Sequence, residues 1–233
     1  MNQQEMKELT GTGAVDALVK SGMKLGLGTG STAIHVTRRI GSLVAAGKLS
    51  GIRAFATSFQ TILECEKWGI PLYSLNAPEL GGKLDLCIDG ADEIDTENRL
   101  VKGGGGALLM EKIAAYASAA YAVVADETKL VEHLGLAFPV PVEVIPEARL
   151  PVRSELEKLG AEVILREAVR KAGPVITEHG NLLLDIRFKD KIDPVRLEAE
   201  LNHIPGVVEN GFFTRIRPTV FIGHAEGTLE IRR

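Results

Sequence analysis

Two rhythms of apolar and polar positions run along this chain, and each predicts a kind of element. Short apolar runs that stop at glycine or at polar residues read as buried strands over 23–28, 52–57, 71–75, 84–88 and 121–125. Between them, residues 31–46 place Val36, Ile40, Leu43 and Val44 at i, i+4, i+7 and i+8, which is one helical face. Residues 60–68 and 107–118 read as further helices. This alternation predicts an α/β fold with a parallel sheet, helices on both of its faces and right-handed crossovers.

The rhythm changes after about Leu134, where Phe138-Pro139-Val140-Pro141 punctuates the chain. From there the order is strand 142–145, helix 153–159, strands 162–165 and 182–188, helix 194–202 and strand 207–212. That is a split βαβ, ferredoxin-like pattern, typical of a small α+β domain. Residues 219–224 and 228–231 read as strands that return to the first sheet. The expected organisation is a main domain of residues 1–135 plus 213–233, with a small α+β domain over 136–212.

Composition narrows the function. Among 233 residues, 27 Lys and Arg stand against 31 Asp and Glu, a formal charge of −4 with no basic stripe, so nucleic acid is not an expected partner. Two cysteines, Cys65 and Cys87, have no metal or redox spacing and suit a reducing compartment. The charged opening MNQQEMKELT lacks the apolar run of an export signal, and the apolar stretch 114–125 is too short to span a bilayer. The expectation is a cytoplasmic protein without a membrane partner.

Four segments could carry chemistry. Gly28-Thr29-Gly30-Ser31-Thr32-Ala33 fits G-x-G-x-x-A between a strand and a helix, where free N–H groups meet an anion. A dinucleotide site also wants a carboxylate after the second strand. Here that strand ends Ala56-Thr57-Ser58-Phe59-Gln60-Thr61, so hydroxyls at Thr29, Ser31 and Thr32 suit a phosphate monoester better. A plain helix cap on a glycine turn is the competing reading. Asp89-Gly90-Ala91-Asp92-Glu93-Ile94-Asp95 closes an apolar strand, where crowded carboxylates can move protons; a solvated acidic turn is its alternative, and calcium-loop spacing is absent.

Lys102-Gly103-Gly104-Gly105-Gly106-Ala107 leads into a helix bearing Glu111 and Lys112. Four successive glycines cost conformational entropy, and the usual reason to keep them is close backbone approach to an anionic ligand. The Gly-Lys-Ser/Thr of a nucleotide-binding loop is missing. Asp126-Glu127-Thr128-Lys129 follows the next strand, and Lys129 is either a phosphate anchor or an ordinary surface lysine. The five histidines are scattered without ligand spacing.

In this order the four segments resemble the type A ribose-5-phosphate isomerase family, as do Pro141-Val142-Glu143-Val144-Ile145-Pro146 and Ile204-Pro205-Gly206-Val207-Val208. The resemblance runs from about residue 20 to the C-terminus. It implies interconversion of ribose 5-phosphate and ribulose 5-phosphate through an enediol, with no metal and no organic cofactor. It also implies a Rossmann-like main domain, a smaller α+β domain, and a homodimer or a dimer of dimers. By motif match, Glu111 falls on the family's general base, and Asp89, Asp92 and Lys102 on its other polar active-site positions. The segments 29–32 (with Gly30), Asp89-Gly90-Ala91-Asp92, Lys102 with Gly103, Gly104 and Gly105, and Lys129 fall on its substrate-binding positions. A departure lies in Thr10-Gly11-Thr12-Gly13, where glycines weaken a helix, so no contact is carried over from Lys7. The alternative from another class is a non-catalytic sugar-phosphate sensor of related fold, which would bind the same ligand without needing Glu111.

Overall fold

A computed structural model describes residues 1–233, which divide into two compact units. The first comprises Met1–Ala91, Met110–Lys129 and Ile216–Arg233; the second comprises Asp92–Leu109 and Leu130–Arg215.

The first unit is built on a sheet of six strands in the order β13-β12-β6-β3-β1-β2. These are β1 (Lys24–Leu27), β2 (Arg53–Ala56), β3 (Leu84–Asp89), β6 (Ser118–Asp126), β12 (Thr219–Gly223) and β13 (Leu229–Arg232). All neighbours pair parallel except β13, which folds back antiparallel on β12. Leu25, Leu27, Leu86, Ile88, Ala122, Val124 and Phe221 bury the sheet against α1 (Gln3–Leu18), α2 (Ala33–Ala45) and α3 (Phe59–Trp68). The strands read from the sequence at 71–75 reduce to one bridge, Leu72 to Ala54. Pro71 has no N–H to donate, and the chain turns away once Tyr73 N–H has bonded the Ala54 carbonyl.

Helix α1 forms without interruption despite its glycines. Asn2 and Glu5 cap it reciprocally: the Asn2 side chain accepts from the Glu5 N–H at 3.0 Å, and Glu5 accepts from the Asn2 N–H at 2.8 Å. A Cβ on Gly11 would lie 2.7 Å from the His35 Cβ, so the glycine lets α1 and α2 approach closely.

The second unit holds a sheet of four antiparallel strands in the order β10-β7-β9-β8: β7 (Val140–Val144), β8 (Glu162–Leu165), β9 (Leu182–Arg187) and β10 (Val207–Asn210). With α5 (Arg149–Lys158) and α6 (Pro194–Asn202) this is the split βαβ arrangement read from the sequence. A second sheet, ordered β11-β5-β4, joins β4 (Glu93–Ile94), β5 (Leu100–Val101) and β11 (Phe212–Phe213). It draws residues 92–109, which the sequence pattern put in the main domain, into the second unit. Two-residue strands carry no periodicity, so this pairing left no trace in the sequence. The remaining helix, α4 (Leu108–Tyr116), follows the glycine segment and precedes β6. No helix is long and apolar enough to cross a membrane.

Candidate active site

In the first unit the carboxyl ends of β1, β3 and β6 lie side by side, because these strands pair parallel. Ligands of open α/β sheets bind at that edge. Asp89, fully buried, ends β3 there. Its Oδ1 accepts the Thr29 N–H at 3.1 Å and the Gly90 N–H at 2.7 Å. A Cβ on residue 28 would lie 1.9 Å from that oxygen, so Gly28 is the space the carboxylate occupies. The two motifs, sixty residues apart in sequence, thus form one hydrogen-bonded unit.

The hydroxyls of the 29–32 segment divide. Thr29 Oγ1 turns inward, 2.6 Å from Ser58 Oγ and 2.8 Å from Thr57 Oγ1, in a cluster with Thr61. Thr61 in turn donates to the Gly28 carbonyl at 2.7 Å. The hydroxyls after β2, noted in the sequence as replacing a ribose-binding carboxylate, therefore fasten the loop. Gln60 accepts the Gly30 N–H at 2.9 Å. Thr32 is buried at the start of α2, while Ser31 is exposed, and its Oγ accepts from Lys7 Nζ at 2.9 Å. Lys7 is the residue sequence reasoning set aside: it projects from α1 to the N-terminus of α2, where helix N–H groups favour an anion.

Glu111, 4% exposed, stands in the first turn of α4. The chain leaves β3 through β4, β5 and the glycine loop before α4 returns it to β6 in the first unit, where Glu111 and Asp89 both act on one side chain. Tyr121 on β6 reports on this neighbourhood. Burial drives its hydroxyl pKa well above the usual phenol value, and the carboxylates of Asp89 and Glu111 push it in the same direction. Asp126, which closes β6, accepts from the Thr128 N–H at 3.1 Å and from the Thr128 hydroxyl, and so starts the 3₁₀ turn Glu127–Lys129 that presents Lys129.

The second unit contains Asp92, Lys102 and the glycine loop. Asp92 Oδ2 accepts the Gly104 N–H at 2.8 Å, and a Cβ on Gly104 would lie 2.7 Å from Asp92 Oδ1. Gly103, at φ +97°, makes the turn that the Gly106 N–H closes on its carbonyl at 2.9 Å. Lys102 is 2% exposed, its Nζ 5.6 Å from the centroid of the Phe213 ring, a cation–π contact for a buried ammonium. Arg166, between β8 and β9, donates from Nη1 to the Gly103 and Gly104 carbonyls at 3.0 and 3.1 Å. Nothing in the local sequence flagged Phe213 or Arg166, since each reaches the loop across strand pairings.

Asp89 and Asp92, three residues apart, belong to different units, with the division at Ala91. Glu127, His224 and Glu226 also gather ligand atoms within 4.8 Å of one another. Both His224 nitrogens, however, lie 2.8 Å from carboxylate oxygens, Nδ1 from Glu127 and Nε2 from Glu230. That geometry suits an imidazolium with two N–H donors and leaves no lone pair for a metal.

The family described as Ribose 5-phosphate isomerase A (phosphoriboisomerase A) matches residues 53–227. The chain is 52% identical to Ribose-5-phosphate isomerase A of Treponema denticola, covering 99% of both chains. It is 46% identical to the protein of the same name from Thermosynechococcus vestitus, over 98% of this chain and 96% of that one. Among solved structures it is similar to ribose 5-phosphate isomerase A of Methanocaldococcus jannaschii, with a TM-score of 0.92, 41% identity and 99% of each chain covered. It is also similar to a D-ribose-5-phosphate isomerase in complex with phospho-erythronic acid, with a TM-score of 0.93, 40% identity and the whole of each chain covered.

Proposed function

The chain belongs to the ribose 5-phosphate isomerase A family, and on that premise we propose a division of labour among its residues in interconverting D-ribose 5-phosphate and D-ribulose 5-phosphate. The observation that supports the reading is 52% identity, over nearly the full length, with a relative of that name, combined with a buried Glu111 whose charge, like that of Asp89 at the end of β3, is felt by Tyr121. The sensor alternative is not favoured, since the relatives and structures named above are all called isomerases.

Opening of the furanose ring breaks the C1–O4 bond, passes the O1 proton to O4, and frees the C1 aldehyde and the C4 hydroxyl. Glu111 takes the proton from C2; the released electron pair forms the C1–C2 double bond and moves charge onto O1. After a proton passes from O2 to O1, Glu111 returns its proton to C1, and the C2 carbonyl of the ketose forms. Protons and electron pairs move within one substrate, so the step balances without an oxidant. Asp89 and Asp92 are assigned to hydroxyl protons during ring opening and the O2-to-O1 transfer. Lys102 and the N–H groups of the 103–105 loop other than that of Gly104, which Asp92 accepts, are assigned to the oxygen that gains charge; one such donor contributes about 3–4 kcal/mol at the transition state.

The phosphate is assigned to the N-terminus of α2, with Ser31, Lys7 and Lys129 as its side-chain partners. Anchoring the far end lets remote binding energy orient the reacting carbons. A homodimer or dimer of dimers and a cytoplasmic location belong to the same reading; sedimentation of the purified protein decides the assembly.

The test is conversion of ribose 5-phosphate by purified protein in EDTA with no cofactor added, alongside Glu111→Gln. Wild-type turnover is expected, with kcat of the variant lower by roughly 10²–10⁴-fold and inhibition by inorganic phosphate retained. Near-normal turnover by Glu111→Gln would remove Glu111 as base and leave the isomerase function standing.

A further inference from the structure

The second unit contains a device that the proposed chemistry does not use. Asp185 on β9 clamps Arg166 through two parallel bonds, Nε to Oδ2 at 2.8 Å and Nη2 to Oδ1 at 2.5 Å. The side chains are 15% and 16% exposed, so the pair is largely shielded from water and its geometry is fixed. The remaining nitrogen, Nη1, faces the glycine loop and donates to the carbonyls of both Gly103 and Gly104.

Those two carbonyls belong to successive peptide planes. The chain has no cis peptide bond, so in each plane the N–H points opposite to the carbonyl. Holding the Gly103 carbonyl therefore turns the Gly104 N–H away from Arg166, and that N–H meets Asp92 Oδ2 at 2.8 Å. Holding the Gly104 carbonyl turns the Gly105 N–H the same way, at an exposed position of the loop. Glycines are the residues least able to hold such planes unaided, because their backbones have the most conformational freedom to lose.

We propose that Arg166, braced by Asp185, is a positioning residue for the isomerisation: it fixes the peptide planes of 103–105 so that the Gly105 N–H is aimed at the substrate oxygen that gains charge. This rests on the isomerase reading above. Arg166 itself touches no reacting atom. Only a planar guanidinium suits the task, since two nitrogens grip the carboxylate while the third spans two carbonyls; a lysine ammonium is a point charge.

The test uses Arg166→Lys, Arg166→Met and Asp185→Asn in the full chain, with phospho-erythronic acid and inorganic phosphate as competing probes. Phospho-erythronic acid carries an anionic carboxylate where the enediolate would place its oxygens; inorganic phosphate reports only on the phosphate end. Both Arg166 variants are expected to lower kcat by roughly 10- to 100-fold with KM within about threefold. They should weaken inhibition by phospho-erythronic acid in parallel and leave inhibition by inorganic phosphate unchanged. A folded Arg166→Lys enzyme whose kcat and phospho-erythronic acid inhibition stay within twofold of wild type overturns the proposal. Should neither Arg166 variant fold, Asp185→Asn decides by the same pair of readouts. A wild-type chain that does not turn over ribose 5-phosphate would instead remove the isomerase reading, so the two failures are distinct.

Discussion

Lys7 and Lys129, both assigned to the phosphate in the proposed function, are positioned by opposite means. Lys7 sits on α1 and depends on helix packing to reach Ser31 Oγ at 2.9 Å, whereas Lys129 depends on a local turn begun by Asp126. On that assignment each supplies a point charge at a remote anchor, so its loss should cost binding more than chemistry. Lys7→Ala and Lys129→Ala are each expected to raise KM roughly tenfold with kcat nearly unchanged, about 1.4 kcal/mol. Steady-state kinetics at fixed ionic strength checks this, and an unchanged KM removes the residue from the phosphate set. Cys65 shows the opposite case of a reactive group kept idle. Burial, reinforced by the charges of Glu64 and Glu66, pushes its thiol up to about 12, so it should resist alkylation at neutral pH until the chain unfolds. Mass spectrometry after iodoacetamide treatment of the folded protein would expose an error by finding Cys65 modified.

At the scale of elements, glycines set how closely helices approach. A Cβ on Gly41 of α2 would lie 2.3 Å from Cγ of the Trp68 indole on α3, a rigid ring whose Nε1 is tied to Glu64 at 3.2 Å. A Cβ on Gly13 of α1 would meet only Cδ2 of Leu229, at 2.4 Å, the far end of a flexible side chain. Alanine gains about 1 kcal/mol of helix propensity over glycine at either place. Gly41→Ala is nevertheless expected to destabilise by roughly 1–3 kcal/mol, because overpacking outweighs propensity. Gly13→Ala should be neutral or stabilising, as Leu229 can change rotamer. Chemical denaturation of both variants measures the contrast, and equal shifts would show that the indole yields as readily as the leucine. The same geometry gives the glycines of Thr10-Gly11-Thr12-Gly13 a use that helix propensity leaves out: propensity counts the entropy of glycine but not the contact it permits.

Across the whole chain, contacts between distant segments fasten the first unit. His224, just past β12, bridges Glu127, which follows β6, and Glu230 on β13. Arg232 bonds Glu230 at 2.7 Å, Glu226 stands nearby, and the N-terminal ammonium of Met1 caps the Ala225 carbonyl. The Glu127 carboxylate, followed by that of Glu230, raises the His224 pKa above its ordinary 6.5. A raised folded-state pKa favours the charged ring in the native protein. Its stabilisation is complete below pH 6.5 and is lost as pH rises through the raised value. The melting temperature of wild type should therefore exceed that of His224→Gln most at about pH 5.5–6, with the gap narrowing toward about pH 9. A gap independent of pH would show that His224 packs there as a neutral ring.

The sequence by itself determined the alternation of strands and helices, the split βαβ pattern and the candidate residues on its motifs, because side-chain periodicity and glycine punctuation are local and need no partner. It also marked Glu111, since a carboxylate in the first turn of a helix after four glycines is a feature of adjacent residues. Tertiary structure decided what depends on contacts between distant positions. It drew residues 92–109 into the second unit through two-residue strands, brought Lys7 to Ser31, and set Phe213 beneath Lys102. It gave Arg166 its hold on the glycine loop and Gly28 its place against Asp89. None of these pairs lies within one period of a helix or strand, so no local pattern can encode them; they exist only once the strands have chosen their neighbours.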